Sequence, residues 1–395
     1  MWKRPWKIRE MMTIGAGLVV TGVLLQLSIG PIDWSLFAYP VNIVLLIAIL
    51  LAVIIGCALQ NKVYIIGCIT TGKAAVASIA YAALLTIVMG VVPQATGKVE
   101  DAIGLTHMLS AWPFVLIYLW MTFIVGTVGL RGALMLAKGN RTSLSTLLSH
   151  LGLFIALVCS TLGNADIQRL KMTAKTGRAE WRAVDDKGNI KELPLAIELK
   201  EFRIEEYPMK AIVIDNVTGK PVGEDGDWQL NMTQQLENAA PNVMDSISVD
   251  YVEWRSVGAA SAAYVKAHNK RNGQHREGWI SCGSFAFPYH GLKLDSLYSA
   301  VMPEREPRCF SSAVSVYTKT GKKFQDTITV NNPLDIEGWK IYQLSYDETL
   351  GRWSDVSILE LVSDPWLPYV YMGIALMLSG AVLMVFKKRK KGEQL

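Results

Sequence analysis

Six long apolar runs divide the chain, and one polar, water-soluble stretch interrupts them. The runs are Met11–Gly30, Val41–Gln60, Ala74–Val92, Trp112–Leu130, Leu144–Gly163 and Trp366–Phe386. A helix of ~20 apolar residues crosses a bilayer core, so each run is expected to span. Five runs precede the soluble stretch and one follows it. The runs from Ala74 and Leu144 carry small residues and a few polar groups, so one side of each is expected to face protein.

The soluble stretch, roughly Asn164 to Pro365, has a different period. Leu195, Ile197 and Leu199 alternate with Ala196, Glu198 and Lys200, as in a half-buried strand. Phe202 and Ile204 continue with the phase shifted by one, as a bulge produces. Lys210–Ile214, Ala313–Tyr317, Asp326–Val330, Trp339–Tyr346 and Val356–Leu361 read as further strands. Turns are expected at Asn216–Lys220, Thr320-Gly321, Asn331–Pro333 and Glu348–Arg352. The middle, Trp228–His275, reads as more helical or irregular. The stretch is long enough for one sizeable core, a β-sandwich or a curved sheet. The expected fold is an α-helical integral membrane protein with six transmembrane helices. A large β-rich extracytoplasmic domain lies between helices five and six.

Charge adds an orientation. Lys and Arg collect on cytoplasmic flanks. Lys3, Arg4, Lys7 and Arg9 precede the first run, Lys62 and Lys73 lie between the second and third, and Arg131, Lys138 and Arg141 lie between the fourth and fifth. The tail ends in Lys387, Lys388, Arg389, Lys390 and Lys391. The other short loops hold Lys98 as their one basic residue, beside Asp33, Glu100 and Asp101. Both termini are therefore expected in the cytoplasm and the large domain outside. The net charge of +5 comes largely from these flanks, so it reports topology and not nucleic-acid binding. The first run has the basic start of a signal peptide, but it is long for one, and Pro31 follows directly on Ser28-Ile29-Gly30. It is expected to stay.

Cys57, Cys68 and Cys159 fall in or near the apolar runs, where cysteine is usually a small packing residue. Cys282 and Cys309 fall in the outer domain, where an oxidising envelope favours a disulfide, and they are expected to pair. No C-x-x-C, C-x-x-C-H, Walker loop, G-x-S-x-G, H-E-x-x-H or dinucleotide fingerprint occurs. Of five histidines, His268 and His275 sit among basic residues of an expected solvated loop, whose charge suits an acidic partner or a haem propionate, and His290 reads as a turn residue. His150 differs, because it lies about two turns inside the fifth run. An ionisable group there marks a pathway, a ligand site or an interhelix hydrogen bond, and neutral imidazole is a good axial ligand for haem iron. His107, before Trp112-Pro113-Phe114, is a weaker ligand candidate or an interfacial residue.

The arrangement resembles the ResB (CcsB) family of system II cytochrome c biogenesis. The matching patterns are Ile103-Gly104-Leu105 with Ser110–Phe114, Ser149–Leu153 leading to Gly163, and Leu193-Pro194-Leu195 with Glu201-Phe202. Further on come Val330–Leu334, Gly338–Gln343 and Asp364-Pro365. The resemblance covers about Ala74 to Phe386 and implies a division of the chain. Residues 1–73 hold two additional helices, 74–163 a three-helix membrane region, 164–365 the outer domain, and 366–395 the last helix and basic tail. It implies a bacterial inner-membrane subunit of a holocytochrome c synthase (haem lyase) complex, itself non-catalytic or co-catalytic. That complex moves transient haem b outward and joins it to C-x-x-C-H of apocytochrome c. His150 matches the family's membrane haem-ligand histidine, which makes haem iron the metal it would hold. A CcsA-type membrane protein and thiol-reducing proteins of the envelope are the implied partners. The Trp-rich segment of a CcsA protein is absent, so that partner is a separate chain. Rival readings are a cytochrome b-type respiratory subunit, which normally pairs histidines across helices, and a haem-free membrane-anchored scaffold or binding protein. A secondary transporter is a third rival, but no inverted repeat of broken helices occurs.

Overall fold

Each of the six apolar runs forms a helix long and apolar enough to cross a membrane. In the computed structural model these are α1 (Ile8–Ile29), α2 (Val41–Leu59), α4 (Gly72–Val91), α5 (Trp112–Ala137), α6 (Leu144–Gly163) and α7 (Leu367–Gly392), with a short α3 (Tyr64–Ile69) after α2. The structure describes residues 4–95, 101–139, 144–223, 226–245 and 248–392, and their side chains other than those of 243–245, 248 and 387–392. Among the residues that set the expected orientation, Lys3, Lys98, Glu100, Arg141 and the side chains of Lys387–Lys391 lie outside this description. The chain divides into a helical unit, Met1–Ile167 with Asp364–Leu395, and a β unit, Gln168–Ser363.

In the helical unit α5 is central and touches α1, α2, α4 and α6. Pro113 sits in its first turn, where a missing N–H costs no helical bond. Thr71 caps α4 by accepting from Ala74 N at 3.4 Å. Glycines let the helices approach: Gly56 on α2 lies against Phe123, and Gly126 on α5 against Phe154 of α6. The loop before α5 is organised by Asp101, whose carboxylate accepts from Ile103 N, Gly104 N and Thr106 N. These bonds hold its carboxyl below the usual range although burial opposes them.

The β unit runs β1 (Gln168–Lys175), β2 (Ala179–Asp185), β3 (Ile190–Glu206), β4 (Ile212–Asp215), β5 (Trp228–Asp245), β6 (Ser248–Glu253), β7 (Ala260–Asn269), β8 (His275–Gly283), β9 (Leu292–Lys293), β10 (Tyr298–Val301), β11 (Pro307–Thr318), β12 (Lys323–Thr329), β13 (Leu334–Ile336), β14 (Trp339–Tyr346) and β15 (Val356–Ser363). An eight-stranded antiparallel sheet has the order β12-β11-β3-β2-β1-β15-β14-β13. Every one of its strands contributes to a single core that includes Met172, Ile197, Leu199, Val316, Ile328, Ile341 and Leu359. The sheet therefore curves around its own side chains. The phase shift after Leu199 is a bulge: Leu199 pairs with Val314 and Glu201 with Ala313, with Lys200 as the extra residue.

A second sheet, β6-β5-β7-β8, is joined by a small third one, β4-β10-β9. This corrects the expectation of a helical or irregular Trp228–His275. The segment Ala260–Asn269 is rich in alanine, the best helix former, yet it is a central strand whose first half, Ala260–Tyr264, is covered on both faces. Ala263, Val265 and Ala267 face one core with Trp228 and Ile280. Ala262 and Tyr264 face another with Tyr251 and Trp279. A half covered on both sides has no polar alternation to read, whereas beyond it the exposed Lys266 and His268 alternate with the buried Val265 and Ala267.

Candidate functional site

Helix α6 carries His150, and close contacts on two sides fix where it stands. Toward α7, a side chain at Gly373 would lie 2.7 Å from Ala156 N and Gly152 O, and one at Gly152 would meet the backbone of Gly373 and Met377. Toward α5, Gly129 lies against the backbone of His150 and Leu151. The helix is thus clamped through its backbone, and the imidazole emerges half-exposed from its flank.

The ring has one anchor. His150 Nδ1 lies 2.8 Å from the carbonyl oxygen of Thr146, one turn back. A carbonyl only accepts, so Nδ1 carries the proton and donates. The lone pair is then on Nε2, which points away from that bond. The ring makes no other hydrogen bond among the described residues. A metal-binding histidine usually has this arrangement, one nitrogen held by a carbonyl and the other free to ligate. The expected alternative, a hydrogen bond from His150 to a neighbouring helix, is not formed.

His107 is elsewhere. It precedes the start of α5, with Nδ1 3.2 Å from Thr106 Oγ1. His150 lies beside Gly129, about 25 Å further along that helix at 1.5 Å per residue. The structure does not bring the two histidines together. His268 and His275 pair across β7 and β8 with rings stacked 4.5 Å apart, so their residues belong to strands and not to a loop. His290 is half-buried against Tyr251, and burial lowers its pKa.

The expected disulfide is not formed: Cys282 and Cys309 are both free thiols. They belong to different sheets, on β8 and β11. The Cys282 thiol lies 3.8 Å from Ser261 O, and that of Cys309 lies 3.6 Å from Phe310 O. Burial pushes the Cys282 thiol up.

Cys282 borders a feature that strand periodicity does not reveal, a cavity of about 280 Å³ in the β unit. Arg305, with a side chain 9% exposed, lies 3.2 Å from Glu206, also pairs with Glu237, and donates from Nε to Tyr207 O at 2.9 Å. Arg352 donates to the carbonyls of Glu237 and Ala259 at 2.7 and 3.0 Å. Burial raises the Glu206 pKa despite the attraction of both arginines. These charges come from four segments spread from Glu206 to Arg352 along the chain. Among the described residues no cluster of His, Cys, Asp and Glu could hold a metal ion by itself.

At the end of the helical unit opposite His150, one carboxylate ties three segments. Asp166 accepts from Tyr39 N at 2.8 Å, Asn42 Nδ2 at 2.6 Å and Trp366 Nε1 at 2.7 Å.

The resemblance read from the motifs holds over part of the chain. The model of the ResB-like family, associated with cytochrome c biogenesis, matches residues 268–354. That span includes the Val330–Leu334 and Gly338–Gln343 patterns and the Arg305 and Arg352 side of the cavity. No curated protein matches the chain.

Proposed function

We propose, on the premise that this membrane chain is ResB-like, that it is the haem-carrying subunit of a system II cytochrome c maturation complex. In this reading haem b is cargo. It passes from the cytoplasmic side of a bacterial inner membrane to the periplasm and is presented to the C-x-x-C-H of apocytochrome c. A CcsA-type protein supplies the outer haem site, and envelope thiol reductants keep the apocytochrome cysteines available. Both termini are cytoplasmic and the β unit is periplasmic. His150 Nε2 is one axial ligand, and the partner subunit supplies the other.

The observation that carries this reading is the single anchor of His150. With Nδ1–H bound to Thr146 O, the ring is oriented and its free lone pair is on Nε2. That fits the donor chemistry of a haem ligand and leaves the ring no structural hydrogen bond to another helix. The ResB-like match is independent support, since it lies in the other unit.

The test is substitution of His150 in cells that co-express the partner. His150→Gly should remain inserted and abundant, because among the described residues the ring makes no hydrogen bond to another helix. Haem that co-purifies should fall severalfold, and c-type cytochrome maturation should stop. Added imidazole should restore part of both by filling the vacated position. Normal haem content and normal maturation in this variant would remove His150 as a ligand.

A further inference from the structure

The hairpin between β7 and β8 holds two histidines side by side. His268 and His275 are direct cross-strand partners, both exposed, with rings 4.5 Å apart and 27° from parallel. Asn269 N donates to Gln274 O at the next position, so the histidines form the non-hydrogen-bonded pair beside it. In such a pair facing side chains stand closest. Val265 and Ala267 turn into the core, which commits His268 to the outer face of the sheet.

The hairpin tip fixes this spacing. Asn269 is buried, and its Oδ1 accepts from Arg271 N and Asn272 N at 2.9 and 3.2 Å. Gly273 N donates to Asn269 O at 2.9 Å, with φ at 71°, a conformation that suits glycine. Among the described residues neither imidazole makes a hydrogen bond, so no protein donor competes for the ring lone pairs. Two metal–nitrogen bonds of about 2.0–2.1 Å at one ion place their nitrogens roughly 2.8–3.4 Å apart. Stacked rings reach that spacing by turning about χ2, a torsion with a broad minimum.

We propose that His268 and His275 chelate one divalent first-row transition ion, Cu²⁺ most tightly, with Ni²⁺ and Zn²⁺ behind it. Imidazole suits these ions, whereas Ca²⁺ and Mg²⁺ require oxygen ligands. The nearby carboxylates are engaged, Glu277 with Lys266 at 3.4 Å and Asp227 with Arg271 at 3.5 Å. The same pairs offset two cations of the hairpin, and Arg276 donates from Nε to Leu294 O on the opposite face. Two side chains do not close a coordination shell, so the remaining positions take water or a donor from another molecule. The site uses neither His150 nor haem, and it stands apart from the function proposed above.

The test titrates the full-length protein in detergent at neutral pH with Cu²⁺ supplied as its glycine complex, read by calorimetry and electron paramagnetic resonance. One ion per chain should bind with two imidazole nitrogens in its equatorial plane. His268→Gln and His275→Gln should each weaken binding roughly tenfold or more, because the second donor of a chelate binds intramolecularly. Both positions are exposed, so the metal-free unfolding temperature should stay that of the wild type. Zn²⁺ should displace the copper and Mg²⁺ should not. A wild-type spectrum with one imidazole nitrogen, or equal affinity in either variant, would overturn the proposal. The latter would make the bound copper adventitious.

Discussion

At the scale of single residues, the two units treat buried polar groups differently. In the helical unit they are uncharged, and among the described residues two of their atoms, Asn42 Oδ1 and Thr122 Oγ1, are left without a hydrogen bond. In the β unit Glu206, Arg305 and Arg352 form a half-buried charge network that closes the cavity wall. Glu206 has a consequence for pH. Its folded-state pKa is raised by burial, so its contribution to stability is present below the ordinary value of 4.5 and is lost as pH rises through the raised one. His290 runs the other way, because a lowered histidine pKa removes stability as pH falls below 6.5. The readout is therefore the difference between wild type and Glu206→Gln. Thermal unfolding followed between pH 4.5 and 7 should show the wild type losing ground to the variant by a few degrees as pH rises. A constant difference would mean that Glu206 keeps its ordinary ionisation in the folded unit.

At the scale of elements, backbone contact between helices sets the tolerance for change. The α6–α7 pair meets through Gly152 and Gly373, where an added side chain has only backbone to push against. Gly152→Leu should destabilise the purified protein by about 2 kcal/mol or more, as overpacking does when nothing flexible can yield. Gly17→Leu on α1 should cost far less, since nothing lies within 4 Å of a Cβ placed there. Denaturation in mixed micelles compares the two. An equal effect would show that α6 and α7 are free to separate.

These elements also show what the sequence makes legible. The six spans follow from apolar length, and β14 falls on Trp339–Tyr346 because its pattern alternates. The short α3 has no such length, and the first half of β7 has no alternation because both of its faces are covered. His150 is visible because an ionisable side chain in an apolar run is rare. Arg305, Arg352, Glu206 and Glu237 are not visible as a set, because the topology of two sheets brings distant segments together. Thr122 reads as an ordinary membrane threonine until its neighbours are placed.

At the scale of the whole molecule, six crossings and one inserted β unit form a multi-pass membrane protein, and sidedness is the property that gives that unit its role. A reporter active only outside the cytoplasm should work when inserted at Gly226 and fail when fused after Leu395. Activity at Leu395 would place the C-terminus outside and mean that one of the six helices does not cross the membrane.

The strand pairing that closes the β unit also imposes an order in time. β1 is the first strand of the unit to be synthesised and β15 the last, yet they are direct neighbours, from Gln168 opposite Ser363 to Lys175 opposite Val356. At roughly 5–20 residues per second, the edge of β1 waits about 10–40 s for its partner to be made. During that wait one side of the founding strand offers unpaired backbone groups to any passing chain. Synthesis of α7 follows immediately on β15, so the edge is sealed by the last segment made before the final membrane crossing. Completion of the β unit and insertion of the last helix thus belong to the same late moment in the life of the nascent chain.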